Sequence, residues 1–145
     1  MTIEAVPFCD LSNLDLYKIM QLREKVFVLE QTCLYQDLDN IDQSAWHVFA
    51  TENDAVVAYA RVFVKNTAEN MVQIGRVVTE MDYRRKNIGT EIMNAAITVA
   101  YEKLNAQQIY LEAQTYAIPF YSRLGFKIVS EEFLEDGIPH VKMIK

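Results

Sequence analysis

Predicted strands and helices do not alternate regularly along this chain. Apolar residues recur near a helical period over residues 13–31 and 87–104, and a shorter helix is predicted over residues 116–124. Alternating or β-branched runs predict strands over residues 3–8, 45–52, 55–65, 71–79, 108–113, 126–132 and 139–144. A meander of three strands, followed by strands that alternate with helices, predicts an α/β (α+β) fold in which helices cover a mixed sheet.

Composition narrows the class of protein further. The chain has 145 residues, of which 51% are hydrophobic, and it shows no repeat or linker, so we expect a single domain over residues 1–145. Its formal net charge of −6 argues against nucleic-acid binding. No apolar run is long enough to span a membrane and no export signal is visible, so a cytoplasmic location is expected. Cys9 and Cys33 predict neither a disulfide scaffold nor a zinc site.

A basic turn stands between the fourth predicted strand and the second long helix. Arg84, Arg85 and Lys86 concentrate three cations there, just before the first backbone N–H groups of the helix. Unpaired N–H groups and the helix dipole favour an anion at such a position. The turn is therefore either a site for a pyrophosphate or a solvated basic turn that begins a helix; it is not a Walker loop.

A second informative segment surrounds the short helix near the C-terminus. Gly125 suits a left-handed helix end, and Phe120, Leu124 and Phe126 are expected to anchor the core. Tyr121 is either one more core aromatic or, if it faces a cleft, a proton donor to a leaving group.

Together, these two segments resemble the GCN5-related N-acetyltransferase (GNAT) family. The motifs are Arg84-x-x-Asn87-x-Gly89 and Phe120-Tyr121-x-x-x-Gly125-Phe126. Residues 22–39, 74–77, 113–114 and 135–140 are similar to its ElaA-like branch. The resemblance covers essentially the whole chain. It implies a largely antiparallel sheet of six to seven strands, splayed between strands 4 (71–79) and 5 (108–113), with acetyl-CoA wedged in the opening.

The resemblance also implies a set of donor-binding residues. Backbone groups of Val77, Val78 and Thr79 would pair with the pantetheine arm as an added strand does. The pyrophosphate would be held by Arg84, Arg85, Lys86, Asn87, Ile88, Gly89 and Thr90. Asn87 replaces a family glycine, and we expect it to adopt the left-handed backbone that Asn tolerates. Thr115 replaces a frequent Asn, which weakens any prediction of contacts there.

The implied reaction is direct transfer of an acetyl group to a primary amine of a small molecule, a peptide N-terminus or a lysine. Val78 N–H would polarise the thioester carbonyl and Tyr121 would protonate the departing sulfur. Candidates for the base are Glu112, His47, Glu30 and His140, or water held by one of them.

Glu30, Arg61 and Arg76 are the candidate substrate residues. The two arginines either recognise an anionic part of the acceptor or pair with Glu30 or Asp39, because a buried charge needs a partner. The acidic stretches, residues 37–42 and 131–136, either attract a cationic amine or are solvated surface.

Other functions remain open at this point. Cys33 would offer a route through an acetylated thiol, although it has no activating neighbour in the sequence. The fold could also serve as a CoA-binding or interaction module without turnover. No metal is expected, and edge strands near the C-terminus leave a homodimer open.

Overall fold

The computed structural model describes all residues, 1–145, and contains one eight-stranded sheet. Its strands are β1 (Thr2–Pro7), β2 (Trp46–Glu52), β3 (Ala55–Asn66), β4 (Met71–Thr79), β5 (Gln108–Gln114), β6 (Lys127–Ile128), β7 (Phe133–Glu135) and β8 (Ile138–Ile144). The order across the sheet is β1-β2-β3-β4-β5-β8-β6, and β7 also pairs with β8. Only β4 and β5 are parallel. This confirms the predicted mixed, largely antiparallel sheet.

Three α-helices accompany the sheet: α1 (Asn13–Arg23), α2 (Ile88–Glu102) and α3 (Ile118–Arg123). Ser12 caps α1 by accepting a hydrogen bond from the N–H of Asp15 at 3.0 Å. Beyond α1 the chain continues as a π-helical turn, Glu24–Glu30, so the predicted helix over residues 13–31 changes its winding part-way. Short 3₁₀ turns cover Phe8–Asp10, Asp42–Ser44, Met81–Tyr83 and Thr115–Ala117. None of these helices is long and apolar enough to cross a membrane.

The sheet buries a different helix on each face. On β2, the alternation of side chains sends Val48 and Ala50 into the larger core, where they pack with α2. Phe49, between them, faces the smaller core with Ile19 and Leu22 of α1. Because both faces are covered, the central strands are apolar on both sides.

Local turn chemistry agrees with the sequence at the β2–β3 hairpin. Glu52 pairs with Ala55 across a two-residue loop. Asn53 and Asp54 in that loop have φ angles of 52° and 62°, the left-handed pair that a type I′ turn requires.

Strand β4 carries a bulge where it enters the cleft. Its pairing with β3 shifts between Tyr59–Val78 and Arg61–Gly75, which leaves one extra residue on β4. Arg76 has a φ of 51°, so the left-handed residue of the bulge lies directly after Gly75. A glycine inside a strand often marks such a bulge.

The sheet opens between β4 and β5. These strands pair only at Met71–Gln108, Val72–Ile109 and Gln73–Tyr110. Beyond Gln73 they diverge, and β5 continues beside β8 instead. The predicted splay between the fourth and fifth strands is therefore present.

The prediction of one strand over residues 126–132 is wrong in its extent. Strand β6 ends after two residues, because Ser130 Oγ accepts the backbone N–H of Lys142 at 2.8 Å, a bond that a continuing strand would have made. The chain then re-forms as β7, which returns to β8 through a turn at Asp136 and Gly137, both with positive φ. This break gives the sheet one more strand than the six to seven expected.

Candidate active site

The divergence of β4 and β5 opens a cleft of about 560 Å³. Its walls come from the π-helical turn, the loop before β2, strand β3, the two diverging strands, α3 with the 3₁₀ turn before it, and the β7–β8 turn. A cleft of this size can hold an acyl group together with a small acceptor.

Tyr121 lies in the wall of this cleft and also belongs to the core. Its ring packs edge-on against Phe120 and Phe126, with centroids 5.1 and 6.1 Å away. The side chain is 9% exposed, and its hydroxyl has no hydrogen-bond partner in the protein. Burial raises the pKa of this phenol above its usual value. The hydroxyl therefore keeps its proton at neutral pH and can donate a hydrogen bond to a bound molecule.

Gly125 follows α3 in the left-handed conformation expected of a helix end. Its φ is 97°, and the next N–H, that of Phe126, bonds to the carbonyl of Tyr121 at 3.1 Å. This closure holds Phe126 in the core beneath the Tyr121 ring.

Carboxylates and a histidine line the opposite wall. Glu112 on β5 is half-buried in the cleft, and His140 on β8 is 7% exposed beside it. His140 Nδ1 lies 2.7 Å from the Ile138 carbonyl, which can only accept, so this nitrogen carries the proton. Nε2 then faces Glu135 Oε2 at 3.6 Å.

A buried ionic network forms the wall beside β3 and β4. Its members are Arg23, Arg61, Arg76, Asp37, Asp39 and Asp42. Asp42 Oδ1 accepts from Arg23 Nη1 at 2.8 Å and from Arg61 Nη1 at 3.0 Å. Burial opposes the charge on Asp42, but these two guanidinium groups outweigh it and hold its pKa below the usual value.

The network also answers the question left open for the two candidate substrate arginines. Both Arg61 and Arg76 line the cleft, but both are bound to carboxylates. Arg61 donates to the two oxygens of Asp39 at 2.9 Å each. Arg76 donates to Asp37 at 2.7 Å and to Asp39 at 3.3 Å. The contacts therefore support the pairing alternative, and the aspartates of residues 37–42 are neutralised rather than solvated.

The position of His47 does not fit the role of a base. It is fully buried and lies outside the cleft. Its Nε2 donates to the Asp42 carbonyl at 2.9 Å, and its Nδ1 accepts from the Tyr59 hydroxyl at 2.7 Å. Burial lowers the pKa of His47, which keeps the ring neutral. Both ring nitrogens are occupied, so His47 is not available as a base. It contacts the ionic network through the Asp42 carbonyl.

Glu30 differs from the expectation of a base or substrate residue, whereas Cys33 fits the expectation that it has no activating neighbour. Glu30 lies outside the cleft and forms an ion pair with Arg84 at 2.8 Å. Cys33 lines the cleft as a free thiol whose pKa is raised by burial and by Asp136. A raised pKa disfavours the thiolate, and with it the route through an acetylated cysteine.

The basic turn leaves the first backbone N–H groups of α2 without a side-chain cap. Asn87 precedes α2 with a φ of 64°, which confirms the expected left-handed backbone, and makes no side-chain cap. Arg84 is bound to the Thr79 carbonyl and to Glu30, whereas the exposed Arg85 and Lys86 form no ion pair. Ile88 is buried, while Gly89 and Thr90 are half-buried in the first turn of α2.

The acetyltransferase (GNAT) domain family model matches residues 14–145. The chain belongs to the GNAT family. Protein ElaA of Escherichia coli is 37% identical over 138 residues, which cover 94% of this chain and 90% of ElaA. A UPF0039 protein of Schizosaccharomyces pombe is 39% identical, over 94% and 91% of the two chains.

Solved structures agree with this assignment. The crystal structure of E. coli ElaA matches with a TM-score of 0.93 at 34% identity, over 99% of this chain and 98% of ElaA. An acyl-CoA N-acyltransferase from Pseudomonas aeruginosa also matches with a TM-score of 0.93, at 35% identity over 100% and 99% of the chains. The resemblance to the ElaA-like branch is confirmed, and this GNAT protein is an acyltransferase.

Sequence reasoning missed several residues of this GNAT site. Asp37, Asp42 and Arg23 were not identified as an ionic network, and Tyr59 was not identified as the partner of His47. A signal was present: Arg23, Arg61 and Arg76 each lie in an apolar helix or strand, and three aspartates follow within residues 37–42. Cations in apolar segments require carboxylate partners. No cluster of three or more His, Cys, Asp or Glu side chains has the spacing of a metal site.

Proposed function

We propose that the protein is an acetyl-CoA-dependent N-acetyltransferase that moves the acetyl group directly to a primary amine. The observation that carries the proposal is the opening between β4 and β5, with the unpartnered Tyr121 hydroxyl in its wall. The opening leaves one edge of β4 without a strand partner after Gln73. An extended pantetheine arm is the kind of ligand that such an edge accepts.

The donor would bind across the end of β4 and the start of α2. We propose that backbone groups of Val77, Val78 and Thr79 pair with the pantetheine arm. The pyrophosphate would bind Arg84, Arg85, Lys86, Asn87, Ile88, Gly89 and Thr90. The open start of α2 supports this placement, because uncapped N–H groups and the helix dipole favour an anion. Helix α1, in contrast, is capped by its own Ser12.

The transfer itself needs a proton acceptor, an oxyanion donor and a proton for the sulfur. The amine attacks the thioester carbon, a C–N bond forms, the C–S bond breaks, and the amine loses a proton. We propose Glu112 as the acceptor of that proton, directly or through water, since it lies in the cleft. A backbone N–H on the open edge of β4 would stabilise the carbonyl oxygen. The N–H of Val78, the expected donor, faces β3 instead, because Val78 pairs with Tyr59 two residues from the hydrogen bond between Glu80 and Val57. Tyr121 would donate its proton to the thiolate and would regain a proton from Glu112 through water, or from solvent, before the next turnover.

The test compares Tyr121→Phe with Tyr116→Phe. Both tyrosines line the cleft, but Tyr116 is 75% exposed at its mouth. Loss of a proton donor typically costs about 100-fold or more in rate. We expect Tyr121→Phe to lose about 100-fold or more in turnover, measured as release of thiol from acetyl-CoA. Calorimetry should show that its affinity for acetyl-CoA stays close to that of the wild type.

Two results would overturn the proposal. Turnover of Tyr121→Phe equal to that of Tyr116→Phe would remove Tyr121 from the chemistry. Failure of the wild type to bind acetyl-CoA or CoA more tightly than ATP would remove the donor site at residues 84–90.

A further inference from the structure

One side of the cleft carries negative charge that the protein does not neutralise. Glu112, Glu135 and Asp136 line it on the β5 and β8 side, and none of them pairs with a lysine or an arginine. On the other side, every aspartate of the ionic network binds two arginines. The unneutralised charge therefore belongs to one wall.

Two lysines of the sheet, of which Lys65 also lines the cleft, form no ion pair with these carboxylates. Lys142 stands directly opposite Glu112 in the strand register, but its ammonium lies over the Phe133 ring, 6.0 Å from the centroid. The Lys65 ammonium lies over the Tyr110 ring at 4.5 Å. Both cations are thus held against aromatic faces and not against Glu112.

His140 forms no hydrogen bond to these carboxylates. Its Nδ1 proton is bound to the Ile138 carbonyl, and its Nε2 lies 3.6 Å from Glu135 Oε2, beyond hydrogen-bond distance. Glu135, 45% exposed at the cleft mouth, has a pKa raised by partial burial and by the neighbouring charge of Glu112. A cation between these carboxylates would relieve that repulsion.

Tyr121 independently points to a ligand in the same cleft. Its side chain is more than nine-tenths buried, at 9% exposure, and its hydroxyl is unpartnered. Tyr35 and Tyr116 line the mouth and are 64% and 75% exposed. Exposed aromatic faces beside carboxylates attract cationic groups.

We propose that the acceptor carries a second cationic nitrogen in addition to the amine that is acylated; this rests on the proposed acyl transfer. The reactive amine lies beside Tyr121 and Glu112. The second cation stays at the mouth between Glu135 and Asp136, where it keeps part of its hydration and needs little desolvation. Linear diamines and peptides with a second basic group belong to this class.

The experiment compares 1,4-diaminobutane with 1-aminobutane as acceptors, by kcat/KM for thiol release from acetyl-CoA. Two half-exposed charge pairs predict a preference of about fivefold for the diamine in the wild type. The double variant Glu135→Gln/Asp136→Asn should reduce this ratio to near one. The control Glu131→Gln/Glu132→Gln changes net charge equally at exposed positions outside the cleft and should keep the ratio.

A wild-type ratio near one, or a ratio that survives in the double variant, overturns the inference. If no amine releases thiol, the proposed transfer is wrong, and calorimetric binding of the two amines then tests the inference alone. Tighter binding of the diamine that is lost in Glu135→Gln/Asp136→Asn supports it, and equal binding of both amines overturns it.

Discussion

Replacement of Asp42 by Asn removes one charge from the buried ionic network without changing its volume. Asp42 is 6% exposed and neutralises Arg23 and Arg61, which are 0% and 3% exposed. The network has three cations and three anions, so Asp42→Asn leaves one buried positive charge without a counterpart. Removing one partner of a buried ion pair costs about 3–5 kcal/mol. We expect about 3 kcal/mol, because the Asn oxygen still accepts hydrogen bonds.

This loss of unfolding free energy corresponds to a measurable decrease in the melting temperature, Tm. Unfolding entropy of about 2.1 cal/mol/K per residue amounts to about 0.3 kcal/mol/K over 145 residues. A loss of about 3 kcal/mol therefore lowers Tm by about 10 °C, measured by circular dichroism with urea unfolding at 25 °C alongside.

Asp54→Asn is the matched control for this prediction. Asp54 is exposed in the β2–β3 turn with a φ of 62°, which Asn adopts as readily, so we expect a change within about 0.5 kcal/mol. If Asp42→Asn and Asp54→Asn lower Tm equally, the network is not desolvated and the reasoning fails. A double variant Arg61→Met/Asp42→Asn should be less destabilised than the sum of its single changes.

Two further predictions concern the donor site and acid stability. Gly89→Ala should keep the unfolding free energy or raise it by up to about 1 kcal/mol, since the added methyl meets Phe120 and Thr79 at ordinary distances of 3.6 and 3.7 Å. It should nevertheless weaken acetyl-CoA binding about tenfold by narrowing the entrance between β4 and α3; unchanged calorimetric affinity would contradict this. Although burial opposes its charge, Asp39 has a pKa lowered to about 2 by Arg61 and by the Ile41 N–H. Its contribution of about 2 kcal/mol is complete above pH 5 and is lost as pH falls toward 2. Urea unfolding of Asp39→Asn should therefore show a shallower acid dependence than the wild type, and parallel curves would refute the assignment.

Several features of the site follow from short stretches of sequence. Asn53-Asp54 specifies its turn, and Gly125 its helix end, because each depends on the φ range of one or two residues. Asn87 keeps a left-handed backbone in place of glycine for the same reason. The donor turn and Tyr121 could be proposed from the sequence because each lies within a short motif, residues 84–89 and residues 120–126.

Other features depend on residues that are distant in sequence. His47 has a suitable side chain for a base, but Tyr59 and the Asp42 carbonyl occupy both of its nitrogens inside the protein. The strand predicted over residues 126–132 has the right residues, yet Ser130 takes the N–H of Lys142 and ends it. Neither contact is visible in a local pattern.

The amino-acid sequence alone specifies the helices, most strands, the turns and the family, because periodicity, backbone preference and motif spacing are local properties. The charge state of the cleft is a property of the assembled sheet. The aspartates of residues 37–42 and the carboxylates of residues 131–136 look alike in sequence, but only the first group meets buried arginines. Folding neutralises one wall of the cleft and leaves the other negative, since pairing of charges depends on which strands and loops the fold brings together.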